Sequence, residues 1–158
     1  MTEFEIIWHV ILASFLSGLV GLERERTDKP AGFRTQMIVG GSVALFVLMG
    51  KVIVLQYKNM PGLQETVETD PIRIIQAIVI GVSFIGAGTV LQIEKESRIK
   101  YLTTAATILF ATGIGISIAL QQYITGAAIS LFVLFINYIL AWVSHRVNIQ
   151  KRKQRKGD

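Results

Sequence analysis

Cysteine is absent from the 158 residues, proline occurs three times, and charged side chains make up only 17% of the chain. Soluble domains carry about 25% charged residues, so this chain has too few polar side chains to cover a water-exposed surface. The lack of cysteine argues against a disulfide-linked scaffold. A hydrophobic content of 51% argues against a disordered chain. Composition therefore disfavours a soluble enzyme and points to a membrane protein.

Five apolar stretches approach the length that a helix needs to cross a bilayer. A hydrocarbon core of about 30 Å requires roughly 20 apolar residues in a helix. Backbone in lipid must satisfy its own hydrogen bonds, and runs such as Ala105–Ile118 are apolar on every face, which favours helices over strands. The predicted fold class is therefore all-α, a bundle of five transmembrane helices. The predicted helices cover residues 6–22, 35–55, 71–93, 102–120 and 124–143.

Basic residues predict the orientation of this bundle. If the C-terminus is cytoplasmic, thirteen of the 16 Lys and Arg residues lie inside, in segments 23–34 and 94–100 and in the residues after Ser144. Cytoplasmic segments are enriched in Lys and Arg, which favours an N-terminus outside. We predict one membrane domain over residues 1–147 and a basic cytoplasmic tail over 148–158. The tail is expected to lie on anionic headgroups of the lipid bilayer, and nucleic acid is not expected as a partner.

Small residues recur within the predicted helices and favour close packing. Small side chains four positions apart let helix backbones approach each other in lipid. We predict that they pack within one bundle, and a homodimer face or a ligand crevice is the alternative. The predicted packing positions are Gly18, Gly21, Gly81, Gly86, Gly88, Thr103, Thr104 and Gly115.

Polar residues after the first helix are the main candidates for function. Glu23 is the carboxylate nearest the hydrocarbon. A negative charge at a helix C-terminus is unfavourable. The Glu23 carboxylate therefore needs a nearby cation, unless its protonation or its exposure serves a function. We predict a functional cluster of Glu23 with Arg24, Arg26 and Arg34 on the cytoplasmic side. The alternative is an interfacial ion pair that only holds the loop.

A second polar group begins the third predicted helix on the outer side. Asp70-Pro71 is typical of an N-cap followed by proline at the first helical position. Asp70, Arg73 and Gln76 then share one turn-spaced face. The alternative to a functional role is helix capping together with extension of the side chains toward the headgroups.

The chain carries no motif of an enzyme or of a metal centre. His9 and His145 lie near opposite membrane faces and cannot share a metal ion. We therefore predict no enzymatic activity, no catalytic residue, no bound metal and no cofactor. Glu65, Glu68 and Asp70 are the strongest candidates for a divalent cation site, because oxygen ligands suit Mg²⁺ or Ca²⁺. Three carboxylates in a loop are, however, usually only solvated.

Five motifs occur in order and carry a family resemblance. They are Gly21-Leu22-Glu23-Arg24-Glu25, Pro30-Ala31-Gly32-Phe33-Arg34-Thr35, Asp70-Pro71-x-Arg73, Phe84-Ile85-Gly86-Ala87-Gly88-Thr89 and Leu102-Thr103-Thr104-Ala105-Ala106. Over about residues 12–147, the chain resembles the MgtC/SapB family of bacterial inner-membrane proteins. The resemblance implies a five-helix membrane domain with a periplasmic N-terminus and a link to magnesium limitation. It also implies regulation of other membrane machines, including ATP synthase, rather than magnesium transport, and in pathogens a link to survival inside macrophages.

The chain departs from the family pattern at several positions. Ser83 replaces a glycine of the third helix, and Tyr101 stands where a glycine commonly precedes Leu-Thr-Thr. Virulence-associated members carry a cytoplasmic C-terminal domain, whereas this sequence ends at Asp158. We therefore expect the short, SapB-like form, to which the virulence role does not transfer.

Three classes of function compete at this point. A membrane-embedded regulatory or accessory protein is favoured, with other membrane proteins as partners. A small ion transporter or channel is the alternative, because a broken helix at Gly81–Gly88 would expose backbone carbonyls to a substrate. The lack of a carboxylate in the middle of any predicted helix weighs against transport of a cation. An enzyme is the least favoured class.

Overall fold

The computed structural model describes residues 2–59, 70–91 and 101–154, and these ranges form five helices. The helices are α1 (Glu3–Arg26), α2 (Phe33–Lys58), α3 (Pro71–Leu91), α4 (Leu102–Ala119) and α5 (Tyr123–Gln154). Each coincides with one predicted span, so the all-α, five-helix prediction is confirmed. The predicted end of the third span, the acidic residues Glu65 and Glu68, and the basic segment 94–100 lie outside the described residues.

Four of the helices are long and apolar enough to cross a membrane: α1, α2, α3 over Pro71–Val90, and α4. The apolar part of α5, Tyr123–Ile139, is shorter. At 1.5 Å per residue, the 32 residues of α5 extend about 48 Å. The helix continues past the predicted boundary at residue 143 and through the tail as far as Gln154. Lys, Arg and Gln are good helix formers, which explains why the polar tail continues the helix.

The centre of the bundle is α4. It packs against the other four helices, whereas the described part of α3 packs only against α2 and α4. The face that α4 buries carries Thr107, Ala111 and Gly115, which are spaced four residues apart. These small side chains allow α4 to approach its neighbours closely, as the sequence pattern predicts.

Four of the predicted packing glycines lie at close contacts between segments. A Cβ atom built on Gly18 would lie 2.6 Å from Cγ of Met37, and one on Gly21 would lie 2.7 Å from the Gly32 carbonyl oxygen. A Cβ atom built on Gly86 would lie 3.4 Å from Cβ of Ala105. One built on Gly115 would lie 2.5 Å from the Gly40 carbonyl oxygen. A side chain at Gly18, Gly21 or Gly115 would thus collide with a neighbouring segment, while the contact at Gly86 is looser.

Three other predicted packing positions do not pack within the described bundle. A Cβ atom on Gly81 or Gly88 would meet no atom within 4 Å, because this face of α3 points away from α2 and α4. Thr103 is exposed, whereas Thr104 is buried. Successive helical residues point about 100° apart, so only the second threonine of the pair turns inward.

The helix α3 also continues without a break through Gly81–Gly88. The prediction of a broken helix that exposes carbonyls to a substrate is therefore wrong. Backbone carbonyls within an uninterrupted helix are used by its own hydrogen bonds. In this structure those carbonyls are therefore not presented to a substrate.

The chain after α1 folds back onto the last turn of that helix. Asp28 has a φ of 51°, in the left-handed region. The Lys29 N–H donates to the Arg24 carbonyl at 3.0 Å, and the Asp28 N–H donates to the Glu25 carbonyl at 3.3 Å. These two bonds form a Schellman motif, which satisfies carbonyls that a helix end leaves unpaired. The end of α4 repeats the motif, with Gln121 at a φ of 63°.

Tyr101, directly before α4, has a φ of 71° and a ψ of 16°. This left-handed conformation is strained for a bulky side chain and free of steric cost for glycine. The resemblance to the MgtC/SapB family implies a glycine at this position, and glycine would adopt this backbone geometry at no steric cost.

Candidate functional site: a buried arginine between three segments

Arg24 has a side chain that is almost completely buried, with 1% of its surface exposed. Of the Asp, Glu, Lys and Arg residues whose burial the structure describes, Arg24 is the only one that is buried. It lies in the last turn of α1, near the α1–α2 connection and the start of α4. We call this end of the bundle the Arg24 end, and the opposite end, where α1 begins, the His9 end.

The guanidinium of Arg24 donates to three uncharged acceptors. Its Nε–H donates to the Pro30 carbonyl at 3.1 Å, Nη1 donates to the Thr107 hydroxyl at 3.0 Å, and Nη2 donates to the Thr104 hydroxyl. Pro30 belongs to the α1–α2 connection, and both threonines belong to α4. One side chain therefore joins α1, the connection and α4. A hydrogen bond to a charged group contributes about 1.5–3 kcal/mol.

The two threonines are arranged as acceptors by the helix that carries them. Residues three apart in a helix share a face, so Thr104 and Thr107 present both hydroxyls to Arg24. The Thr107 hydroxyl donates its own proton to the Thr103 carbonyl at 2.6 Å. Since a hydroxyl has one proton and two lone pairs, its oxygen is then left to accept from the guanidinium.

The α1–α2 connection is fixed at two further points. The Glu25 carboxylate accepts from the Phe33 N–H at 2.9 Å, and it caps α2 where the N-cap residue, Gly32, has no side chain. A carboxylate is favourable there because a helix N-terminus carries partial positive charge. The Gln36 side-chain amide donates to the Ala31 carbonyl at 3.2 Å. The connection is thus held from α1 and from α2.

Glu23 pairs with a different cation from those predicted. Its Oε1 lies 3.4 Å from Nζ of Lys29. Arg26 and Arg34 are exposed, and neither forms an ion pair within the described residues. The Schellman turn returns the chain to the end of α1 and brings Lys29 beside Glu23. Of the predicted cluster of Glu23, Arg24, Arg26 and Arg34, Arg24 occupies the centre of this end, and Glu23 forms its described ion pair with neither Arg26 nor Arg34.

Two buried oxygens at the Arg24 end have no hydrogen-bond partner within the described residues. They are Oε2 of Glu23 and Oε1 of Gln36. Sequence reasoning missed Gln36, since one glutamine at the start of an apolar run gives no periodic signal. It also missed Thr107 as a hydrogen-bond acceptor for Arg24, because a single threonine within an apolar run does not indicate a distant partner.

The second predicted polar group lies at the His9 end. Oδ1 of Asp70 accepts from the Ile72 N–H at 2.9 Å and caps α3, so the predicted N-cap is confirmed. Arg73 lies 3.6 Å from the other carboxylate oxygen of Asp70, with both side chains exposed. Exposed ion pairs contribute little to stability. Gln76 is exposed, so capping describes this group better than an enclosed site does.

His9 links α1 to α5 and is 4% exposed. Its Nδ1 lies 2.5 Å from the Glu5 carbonyl oxygen, and its Nε2 lies 2.7 Å from the Tyr123 hydroxyl. A carbonyl oxygen only accepts, so Nδ1 carries the proton and, in the neutral ring, Nε2 accepts from tyrosine. The part of the chain that the structure describes contains no group of three or more His, Cys, Asp or Glu placed to hold a metal ion.

Comparison with known proteins identifies relatives over most of the chain. A model of the MgtC family matches residues 10–146. The chain is 37% identical over 133 residues to "Putative magnesium transporter YhiD" of Escherichia coli K12, which covers 82% of this chain and 59% of that protein. It is 30% identical over 148 residues to "Protein MgtC" of Salmonella typhimurium LT2, which covers 94% of this chain and 58% of that protein. No solved structure matches the chain.

The family match and these identities show that the chain belongs to the MgtC family. The chain spans about three fifths of the length of these curated relatives. Together with four helices that are long and apolar enough to cross a bilayer, membership makes the chain a multi-pass membrane protein.

Proposed function

We propose that this MgtC-family chain is a regulatory or accessory protein of the bacterial cytoplasmic membrane and modulates other membrane proteins in magnesium homeostasis. Its membership of the family and the name of the relative YhiD, which refers to magnesium, support the link to this ion. The proposal includes no enzymatic activity and no cofactor.

The observation that carries a regulatory role is the charge of Arg24. Its guanidinium is a buried cation that donates to a carbonyl and two hydroxyls. The carboxylate that acts on its charge is Glu23, which is itself paired with Lys29, so the two cations outnumber this one anion. A fixed positive charge in a medium of low dielectric constant repels other cations. Such charges act as barriers to cations and protons in membrane pores. The Arg24 end is therefore poorly suited to pass Mg²⁺. Ion transport stays the second candidate because of the name of YhiD.

The exposed face of α3 supports a role through contact with another membrane protein. Gly81 and Gly88, seven residues apart, share one exposed face of this helix, which packs only against α2 and α4 in the described chain. Small residues let a second helix approach closely within lipid. We propose this face for a partner, and a second copy of the chain is the alternative occupant.

The proposed orientation has the N-terminus outside and the Arg24 end in the cytoplasm. Lys29, Arg26 and Arg34 lie at that end, and a surplus of basic residues is typical of the cytoplasmic side. We expect a reporter fused after Asp158 to be active only if it works in the cytoplasm. The same reporter inserted between Lys58 and Asn59, at the His9 end, serves as the matched control and is expected to be inactive. An export-dependent reporter that is active after Asp158 would overturn the orientation.

Two measurements on the same chain distinguish a regulatory role from ion transport. We expect liposomes that contain only this protein to show no Mg²⁺ flux above protein-free liposomes. In a deletion strain at low magnesium, we expect the wild type to restore growth and Glu23→Gln to fail, since it removes the charge beside Lys29. Arg26→Gln is the matched control and should restore growth, because Arg26 is exposed and makes no described ion pair.

Each outcome of these measurements is decisive for one part of the proposal. Flux from the wild-type protein would make it a transporter. Full growth with Glu23→Gln would reduce Glu23 to a structural ion pair and leave Arg24 as the centre of the site. Crosslinked capture from native membranes at low and normal magnesium then identifies the regulated protein.

A further inference from the structure

A second feature of the molecule lies at the His9 end, away from Arg24. A cavity of about 260 Å³ lies between α2, the start of α3 and the end of α4. Its walls are mainly apolar and include Val47, Val54, Ile74, Ile75 and Leu120. Pockets for small molecules usually measure about 300–1,000 Å³, so this one has room for part of a single hydrocarbon chain.

One charged residue, Lys51, lines this apolar cavity. It is the only charged residue of α2 between Arg34 and Lys58. Lys58, the last residue of α2, lies seven positions further along the helix, so Lys51 lies about 10 Å inside that end. Within the described ranges no carboxylate pairs with Lys51, and Asp70, the acid at the start of α3, pairs with Arg73.

A lysine at this depth of a membrane-spanning helix favours an anion near the headgroup level. Lysine side chains extend along apolar surface and place the ammonium at the interface. An unpaired charge inside the hydrocarbon is costly, which favours pairing with an anionic group. The apolar walls below the ammonium suit a hydrocarbon chain that is joined to that group. A soluble anion such as free phosphate would make no use of those walls.

We propose that this cavity binds an anionic phospholipid, with part of one acyl chain between α2, α3 and Leu120 and the phosphate on the Lys51 ammonium. The site is separate from the Arg24 end and does not depend on the proposed regulatory function. One basic residue near an anionic headgroup contributes about a fivefold preference. We therefore expect a preference of that size for anionic over zwitterionic phospholipid of the same chain length.

The test measures lipids retained by the purified full-length chain. The protein is exchanged into mixed micelles of phosphatidylglycerol and phosphatidylcholine with identical acyl chains, and the bound lipids are counted by native mass spectrometry. We expect about fivefold more phosphatidylglycerol than phosphatidylcholine on the wild type. Lys51→Gln should bring this ratio close to one with unchanged helix content, while Lys58→Gln, which removes the same charge at the end of α2, should keep it.

A second variant tests the cavity rather than the charge. Ile75→Trp places a larger side chain in the cavity and should lower the retention of both lipids. Ile72→Trp, on an exposed position of the same helix, is the matched control and should leave retention unchanged. Equal retention of both lipids by the wild type, a preference that persists in Lys51→Gln, or full retention by Ile75→Trp would each overturn the proposal. Displacement of the lipid by millimolar inorganic phosphate would also overturn it, because the acyl chain would then contribute nothing.

Discussion

Replacement of both Thr104 and Thr107 by valine is expected to lower the free energy of unfolding by about 3–6 kcal/mol. Valine keeps the shape of threonine but removes the two hydroxyl oxygens to which the Arg24 guanidinium donates. Each hydrogen bond to a charged group contributes about 1.5–3 kcal/mol, and the charge would stay buried with the Pro30 carbonyl as its remaining described partner. Equilibrium unfolding in detergent, followed by circular dichroism, measures the change.

Thr103→Val provides the matched control, one residue earlier in the same helix. Its side chain is exposed, and its carbonyl still accepts from Thr107. Its effect should lie within about 0.5 kcal/mol of the wild type, as is usual for surface substitutions. The two single variants share one guanidinium, so their effects should not add to that of the double variant. A double variant as stable as Thr103→Val would show that α4 does not hold Arg24.

The sequence alone predicted the helices because long apolar runs in this chain have few alternatives. Each of the five runs became a helix, and Asp70-Pro71 marked the start of α3 correctly. The end of α5 was misjudged at residue 143, since hydropathy ends where the apolar part ends. A polar sequence of good helix formers continues the helix past that point.

The partners within the candidate site were harder to predict. The run from Glu23 to Lys29 has a charged residue at nearly every position, so its pattern does not reveal which side chain turns inward. The left-handed backbone at Asp28 decides that Lys29 reaches Glu23, and a left-handed aspartate has no strong sequence signal. The burial of Arg24 depends on threonines about 80 residues away in the chain. Long-range pairs of this kind become visible only in three dimensions.

Small residues also show that a sequence pattern does not reveal which side of a helix meets a neighbour. The pattern marked Gly81, Gly86, Gly88 and Gly115 equally, yet only Gly86 and Gly115 face another helix. Spacing shows that a helix can be approached closely, and the fold decides on which side a neighbour lies. The face of α4 that carries Thr104, Thr107 and Gly115 makes two different contacts. It holds Arg24 at one end of the bundle and allows the close crossing with α2 further along.

That crossing gives the second large effect, because Gly115→Leu is expected to destabilise the bundle by about 3 kcal/mol or more. A Cβ atom at this position would lie 2.5 Å from the Gly40 carbonyl oxygen and 3.0 Å from Cβ of Val43. The first of these is a backbone atom of α2, so relief requires the helices to move apart. Overpacking of a core typically costs about 1–3 kcal/mol, and a residue as large as leucine at a backbone contact should reach or exceed that range.

Gly113→Ala tests this explanation two residues away in the same helix. A Cβ atom on Gly113 would meet no atom within 4 Å. Alanine favours a helix over glycine by about 1 kcal/mol, so Gly113→Ala should be neutral or slightly stabilising. Gly115→Ala gains the same propensity but places its methyl group against α2, and it should unfold at a lower denaturant concentration than the wild type. If Gly115→Ala were as stable as Gly113→Ala, the distance between α2 and α4 would not be limited by Gly115, and the central position of α4 would need another cause.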